Sequence, residues 1–195
     1  MKKRIAVSFM ATGLLLLLSS AVLLIFNTAE NRKAAQASEL LVHSIIDIVN
    51  QAPPDEVKDP FDKEMKTEII DGNEYIGYIE IPALNLYLPV MSDWDYAKLK
   101  ISPCRYYGST KTDNLVIAAH NYKSHFGYLG NLQIDEVIAF TDMEGEKSVY
   151  TVTSVEILQP TDVEKVKDQD DELILYTCTY GGAQRIAVRC SLVRA

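Results

Sequence analysis

The chain of 195 residues is poor in several residue types, and each shortage excludes something. Three cysteines are too few for a disulfide framework, and an odd number leaves at least one thiol unpaired within a monomer. With only nine glycines and seven prolines the composition is neither collagen-like nor of low complexity, and 48% hydrophobic residues exclude wholesale disorder. Basic residues are in deficit, with 19 Lys and Arg against 27 Asp and Glu for a net charge of -8. Phosphate binding needs clustered cations, so no nucleic-acid partner is expected. The length suits one domain plus one special segment.

That segment is at the N-terminus. Residues 5–26, IAVSFMATGLLLLLSSAVLLIF, carry no charge. As a helix this run is about 33 Å long, enough to cross a bilayer core. Lys2, Lys3 and Arg4 precede it, so the positive-inside rule puts residues 1–4 in the cytoplasm and everything after Phe26 outside the cell membrane. Ala35-Gln36-Ala37 resembles a signal-peptide cleavage site, but the apolar run is longer than a signal core and the site lies too far beyond it. An uncleaved single-pass anchor is the expectation. Three basic residues precede the run and all 27 acidic residues follow it, which leaves the outer part with 16 basic residues and a charge of -11. Solubility and repulsion from anionic surfaces account for that acidity.

Residues 27–73 read as a stalk and linker. Ala34, Ala37, Leu41, Ile45 and Ile48 recur at spacings of three and four, which predicts a helix over 28–51 with an apolar stripe that packs on its own domain. Pro53-Pro54 ends it near Ala52. His43 lies in this helix as a surface or packing residue, and the acidic, turn-rich stretch to Glu74 reads as a linker.

Residues 74–195 change to a period of two. Alternation in YIGYIEIP and LNLYLPV predicts the first strands, and further strands are expected at 114–119, 136–140, 148–158, 172–177 and 185–193. Ser92 or Asp93 is the expected cap of a short helix through Leu99. Many short strands with only short helices predict a mainly β fold, a closed antiparallel barrel of about eight strands rather than a βαβ sheet.

The informative residues sit at strand ends. In LILYTCTYGGAQRIAVRC, alternation puts Ile174, Tyr176 and Cys178 on one face and Arg185, Ala187 and Arg189 on one face after the turn. Cys178 and Arg185 bracket the six-residue turn TYGGAQ, so a hairpin in that register opposes them directly. A fixed cation beside a thiol lowers its pKa and can bind an oxyanion. The apolar strand NLVIAAHN ends in His120, which is placed to act as general acid and base to such a nucleophile. His125 is the rival base and Arg189 the rival cation. Cys104 and Cys190 either pair or are buried thiols, and a zinc site of His120, His125 and Cys178 is disfavoured by the nearby arginine.

Together these motifs resemble the sortases, the membrane-anchored cysteine transpeptidases of Gram-positive bacteria. The family's Thr-Leu-x-Thr-Cys motif, with an arginine on the next strand, is similar to Leu175-Tyr176-Thr177-Cys178 and Arg185, and its histidine motif to residues 116–121. The segment YLGNLQIDEVIAF and the early IGYIEIPALNLYLPV add to the likeness, which runs from Tyr75 to the C-terminus. Ile174 stands where the family usually has Thr, and Ala119 where Gly often precedes the histidine. His120-Asn121-Tyr122-Lys123 has a class B look, while the short segment between the later strands leaves a class D-like or other minor class open.

The resemblance implies a two-step transfer. Cys178 attacks the carbonyl after a Thr in the C-terminal sorting signal of a secreted protein, and an amine of a peptidoglycan precursor or a pilin resolves the thioacyl enzyme. His120 moves the protons, Arg185 stabilises the oxyanion, and Thr177, Tyr180 and Asn121 are the residues expected to contact substrate. No metal or organic cofactor is implied. The competing readings are a noncatalytic tethered barrel that binds a wall peptide or partner protein, and a cysteine protease that releases its product to water.

Overall fold

The computed structural model describes residues 2–51, 64–162, 164–167 and 171–194. Among them are nine strands: β1 Glu68–Ile70, β2 Asn73–Ile81, β3 Leu86–Met91, β4 Cys104–Tyr107, β5 Leu115–Ala118, β6 Val137–Asp142, β7 Lys147–Leu158, β8 Leu173–Cys178 and β9 Arg185–Leu192. The helices are α1, Lys2–Gln51, and the single turn α2, Glu164–Lys167. Strands run in the order β2-β3-β4-β5-β8-β9-β7-β6, and β6 pairs again with β2. This closes an eight-stranded barrel without a free edge. Strand β1 adds to β2 at Asn73–Tyr75, just before the part of β2 that meets β6.

Closure happens at a glycine. Gly77 pairs with Val90 on one side and Asp142 on the other, at a bulge in β2, with φ +143. A Cβ there would lie 2.8 Å from the Asp142 Cα and closer still to the Thr141 carbonyl oxygen. Only a residue without a side chain lets the two strands meet.

Alternation divides the strand residues between two environments. Ile76, Ile79, Ile81, Leu88, Leu115, Ile117, Leu173, Leu175 and Val188 fill the barrel interior with Phe126, Leu129 and Phe140. The opposite face of β5 and β8 is also apolar, because it is covered from outside. Val116 and Ile174 pack with Val166 of α2 and Ala187. Ala118 packs with Leu41 and Ile45 of α1, along with Tyr75, Met91, Leu99, Cys104 and Met143. Each fully buried aliphatic side chain contributes about 1.5 to 3 kcal/mol of transfer free energy, so α1 is firmly seated on the barrel.

The helix predicted over 28–51 is continuous with the apolar run before it, so α1 spans 50 residues and, among the described residues, is the one helix long and apolar enough to cross a membrane. Its stripe packs on its own domain as expected at Ala34, Leu41 and Ile45, while Ile48 is exposed and Val49 takes part instead. The expected stop at Pro53-Pro54 falls outside the described residues.

Three expectations need correction. Strand β1 forms within the stretch read as linker, and β4, CRYY, was not foreseen because a bulge between Arg105 and Tyr107 disturbs its alternation. The barrel is not wholly antiparallel: β3 and β4 pair in parallel at Met91 and Cys104, and β5 runs parallel to β8 over four residue pairs. The short helix is a 3₁₀ turn at Lys98–Lys100, and Asp95 rather than Ser92 or Asp93 accepts the backbone N–H groups of Ala97 and Lys98.

Gly77→Ala should destabilise the chain by about 3 kcal/mol, through the forced φ and the clash with β6. Urea unfolding of the full chain in detergent measures this, and an unchanged midpoint would contradict the closure described here.

Candidate active site

The three residues singled out in the sequence lie at or just beyond the ends of β5, β8 and β9. Strand β8 alternates between a buried interior set, Leu173, Leu175 and Thr177, and an outward set, Ile174, Tyr176 and Cys178. On its far side β9 pairs antiparallel, with Cys178 opposite Arg185. The register inferred from alternation is therefore the one found. Its turn is closed at the base by Thr179, whose N–H donates to the Gln184 carbonyl at 3.0 Å while its Oγ1 accepts from the Gln184 N–H at 3.0 Å. Gly181 and Gly182 take φ of +85 and +75 within it, the left-handed region that glycine enters without strain.

On the near side β5 pairs in parallel with β8, matching Val116 to Ile174, Ile117 to Leu175 and Ala118 to Tyr176. The ladder continues for one more bond, from the Ala119 N–H to the Tyr176 carbonyl at 3.0 Å. His120 follows two residues past the end of β5 at Ala118, and Asn121 Nδ2 donates to the Thr179 carbonyl at 3.0 Å, so the segment that carries His120 runs beside the end of β8 that carries Cys178. Cys178 thus has Arg185 opposite it on β9, while the His120 segment flanks the other side of β8.

Further bonds hold this junction. Thr177 Oγ1 donates to the Ala119 carbonyl at 2.8 Å, and Asn121 Nδ2 donates to the Thr179 carbonyl at 3.0 Å. Thr177 is only 2% exposed, and its hydroxyl fixes the backbone just before His120. Asn121 is tied to the β8 end in the same way, and Tyr180, 99% exposed at the turn tip, has the surface a ligand contact needs.

Electrostatics separate the thiols. Cys104 and Cys190 are fully buried in different clusters, unpaired, and burial pushes both thiols up to about 12. The possible disulfide between them is absent. Cys178, half-buried, is the accessible thiol. Burial pushes the His120 imidazole down from its ordinary value, and Lys100 adds to the effect, so the ring is neutral near pH 7. Burial raises the Tyr176 phenol while the Arg185 guanidinium opposes the rise. Arg185 Nη1 donates to the Gly182 and Gln184 carbonyls at 2.9 and 3.0 Å.

The two rivals are otherwise engaged. Arg189 is buried, with Nε to Glu156, Nη1 to Asp171 and Nη2 to the Lys165 carbonyl, so it anchors the α2 segment to β9. His125 is fully buried, Nε2 shares a hydrogen bond with Ser38 Oγ of α1 at 3.2 Å, and Nδ1 has no partner. No group of three metal-ligating side chains occurs among the described residues.

A cysteine with an arginine opposite it and a histidine on the neighbouring segment, at one end of a closed barrel, are residue types that support nucleophilic and acid–base chemistry. Residues 79–193, more than half of the chain, match the Sortase domain family, and the chain belongs to that family. Similar solved structures include sortase C1 from Streptococcus agalactiae, 27% identical over 65% of this chain and 72% of that one, with a TM-score of 0.55. Sortase A from Corynebacterium diphtheriae is 19% identical over 87% and 93% of the two chains at 0.57. A sortase D5 transpeptidase from Clostridium perfringens is 20% identical over 65% and 83% at 0.56. These carry class A, C and D names, and the fold is common to all three. No curated protein matches the chain in sequence.

The buried His125 makes stability depend on pH. Burial, with a smaller contribution from His120, holds it down at about 4 against about 6.5 in an unfolded chain. Its contribution is fully present above pH 6.5 and falls away as pH drops towards 4, by roughly 2 to 3 kcal/mol. In full-length chain, His125→Gln should therefore lose less stability between pH 7 and 4.5 than the parent does. Equal losses in denaturant titrations at the two pH values would count against this assignment.

Proposed function

We propose that this protein is a membrane-anchored sortase transpeptidase in which Cys178 is the nucleophile, His120 the proton carrier and Arg185 the oxyanion ligand. The reading is supported by Cys178 being the accessible thiol with Arg185 opposite it on β9, and by the bond from Asn121, the residue after His120, to Thr179, the residue after Cys178. Residues 1–4 lie in the cytoplasm, 5–26 cross the membrane, and the stalk and barrel, 27–73 and 74–195, lie outside the cell.

The chemistry follows from the protonation states. Neutral His120 takes the Cys178 proton as sulfur bonds to the carbonyl carbon that follows a Thr in a sorting signal. Arg185 donates to the resulting oxyanion. The imidazolium then protonates the amide nitrogen, the C–N bond breaks, and a thioester remains on Cys178. An incoming amine attacks that carbonyl, His120 accepts its proton, the C–S bond breaks, and the proton returns to the thiolate. The donor is a secreted protein with a C-terminal sorting signal, and the acceptor is an amine of a peptidoglycan precursor or a pilin.

A fluorogenic peptide library with Thr fixed before the scissile bond tests this, with and without hydroxylamine as acceptor. Product carrying the hydroxamate, and its loss in Cys178→Ala, are expected. Arg185→Ala and His120→Ala should lower kcat by about 10² to 10³ with the barrel intact. Carboxylate product alone at saturating hydroxylamine would indicate a hydrolase, and undiminished turnover in Cys178→Ala would sink the assignment.

A further inference from the structure

The loop that begins at His120 is held from outside the barrel by α1. Asn31 Oδ1 accepts the Ser124 N–H at 3.1 Å, and Ser124 Oγ donates to the Asn31 carbonyl at 3.2 Å. Seven residues on, Ser38 Oγ donates to the Ile101 carbonyl at 3.2 Å and takes the Nε2–H of His125 at 3.2 Å. One hydroxyl has one proton to donate, so this pair of bonds assigns His125 the Nε2–H tautomer and leaves its buried Nδ1 unprotonated. Positions 31, 34 and 38 share one helix face, and Ala34, 2% exposed, lets the backbones approach between the two polar anchors.

From there the contacts lead directly to His120. The Tyr122 ring lies 5.5 Å from the His125 ring and 5.0 Å from the His120 ring. The His125 N–H donates to the Tyr122 carbonyl at 3.0 Å, and the Phe126 N–H donates to the His120 carbonyl at 3.2 Å. The clamp is separate from the barrel core, since the interior cluster contains Phe126 but no residue of α1.

We infer that Asn31 and Ser38 are positioning residues of the active site, so that α1 sets the His120 ring against Cys178 as well as tethering the barrel. The inference rests on His120 as the proton carrier. It adds to that reading a section of the stalk, lying about 8 to 18 Å beyond Phe26 along the helix, as part of the catalytic assembly.

The test uses full-length chain in detergent micelles with the best peptide from the library above. Asn31→Ala/Ser38→Ala should lower kcat by about tenfold or more with KM changed less than twofold, since misorientation affects the transition state more than binding. Asn31→Asp keeps an acceptor for Ser124 and should stay near the parent. The chain has only His43, His120 and His125, so ring signals can be assigned by single substitutions. The groups facing His120 are Lys100, Tyr122 and His125, with Glu30 beside Tyr122 and Cys178 on the adjoining strand. In the double variant the His120 signal should titrate closer to its ordinary value. Parent-like kcat and His120 titration in the double variant overturn the inference, as does a loss of activity matched by a loss of barrel stability. Full activity in His120→Ala overturns the catalytic reading itself, a result separable from the other two.

Discussion

The parallel pairing of β5 with β8 is the contact on which the rest depends. These strands are separated by more than fifty residues, and their ladder, with the Thr177–Ala119 and Asn121–Thr179 bonds, brings the segment that carries His120 beside the end of β8. The pairing is buried on both faces, as parallel strands generally are, with the barrel interior on one side and the α1 and α2 clusters on the other. Ile174 and Ala119, the two departures from the family pattern, both lie in these packing layers. They alter how the junction is filled and leave its reacting groups in place.

The two sides of Cys178 are built differently. Arg185 is set by a local hairpin, with a six-residue turn and a Thr179–Gln184 closure. His120 is set by long-range contacts: the Thr177 hydroxyl under its backbone, Phe126 in the core, and α1 over its loop. A hairpin forms cheaply from neighbouring residues, whereas the histidine side needs the barrel closed and the helix docked.

Legibility in the sequence follows the same division. Alternation and turn length sufficed for the Cys178–Arg185 opposition, and the apolar run and stripe sufficed for α1, because these signals are local. The parallel ladder left no local signature, since hydrophobic runs buried on both faces do not reveal their neighbours. Strand β4 was hidden by its bulge. Asn31 and Ser38 were passed over for a different reason: the helical template counts apolar residues, and the membrane-proximal half of the buried stripe uses hydrogen bonds instead. The stripe position held by Ser38, between Ala34 and Leu41, was a signal that could have been read.

One continuous helix also has a mechanical consequence. Anchored through residues 5–26, as proposed above, α1 would act as a lever pivoting near Phe26. Membrane helices tilt by about 20° on average, which displaces a point 18 Å along the lever by roughly 6 Å and its end at Gln51 by roughly 13 Å. The turns that touch the His120 loop are near the fulcrum, where tilting moves them least. Rocking of such an anchor would therefore carry the far side of the barrel through a wide arc while the His120 loop keeps a nearly constant height.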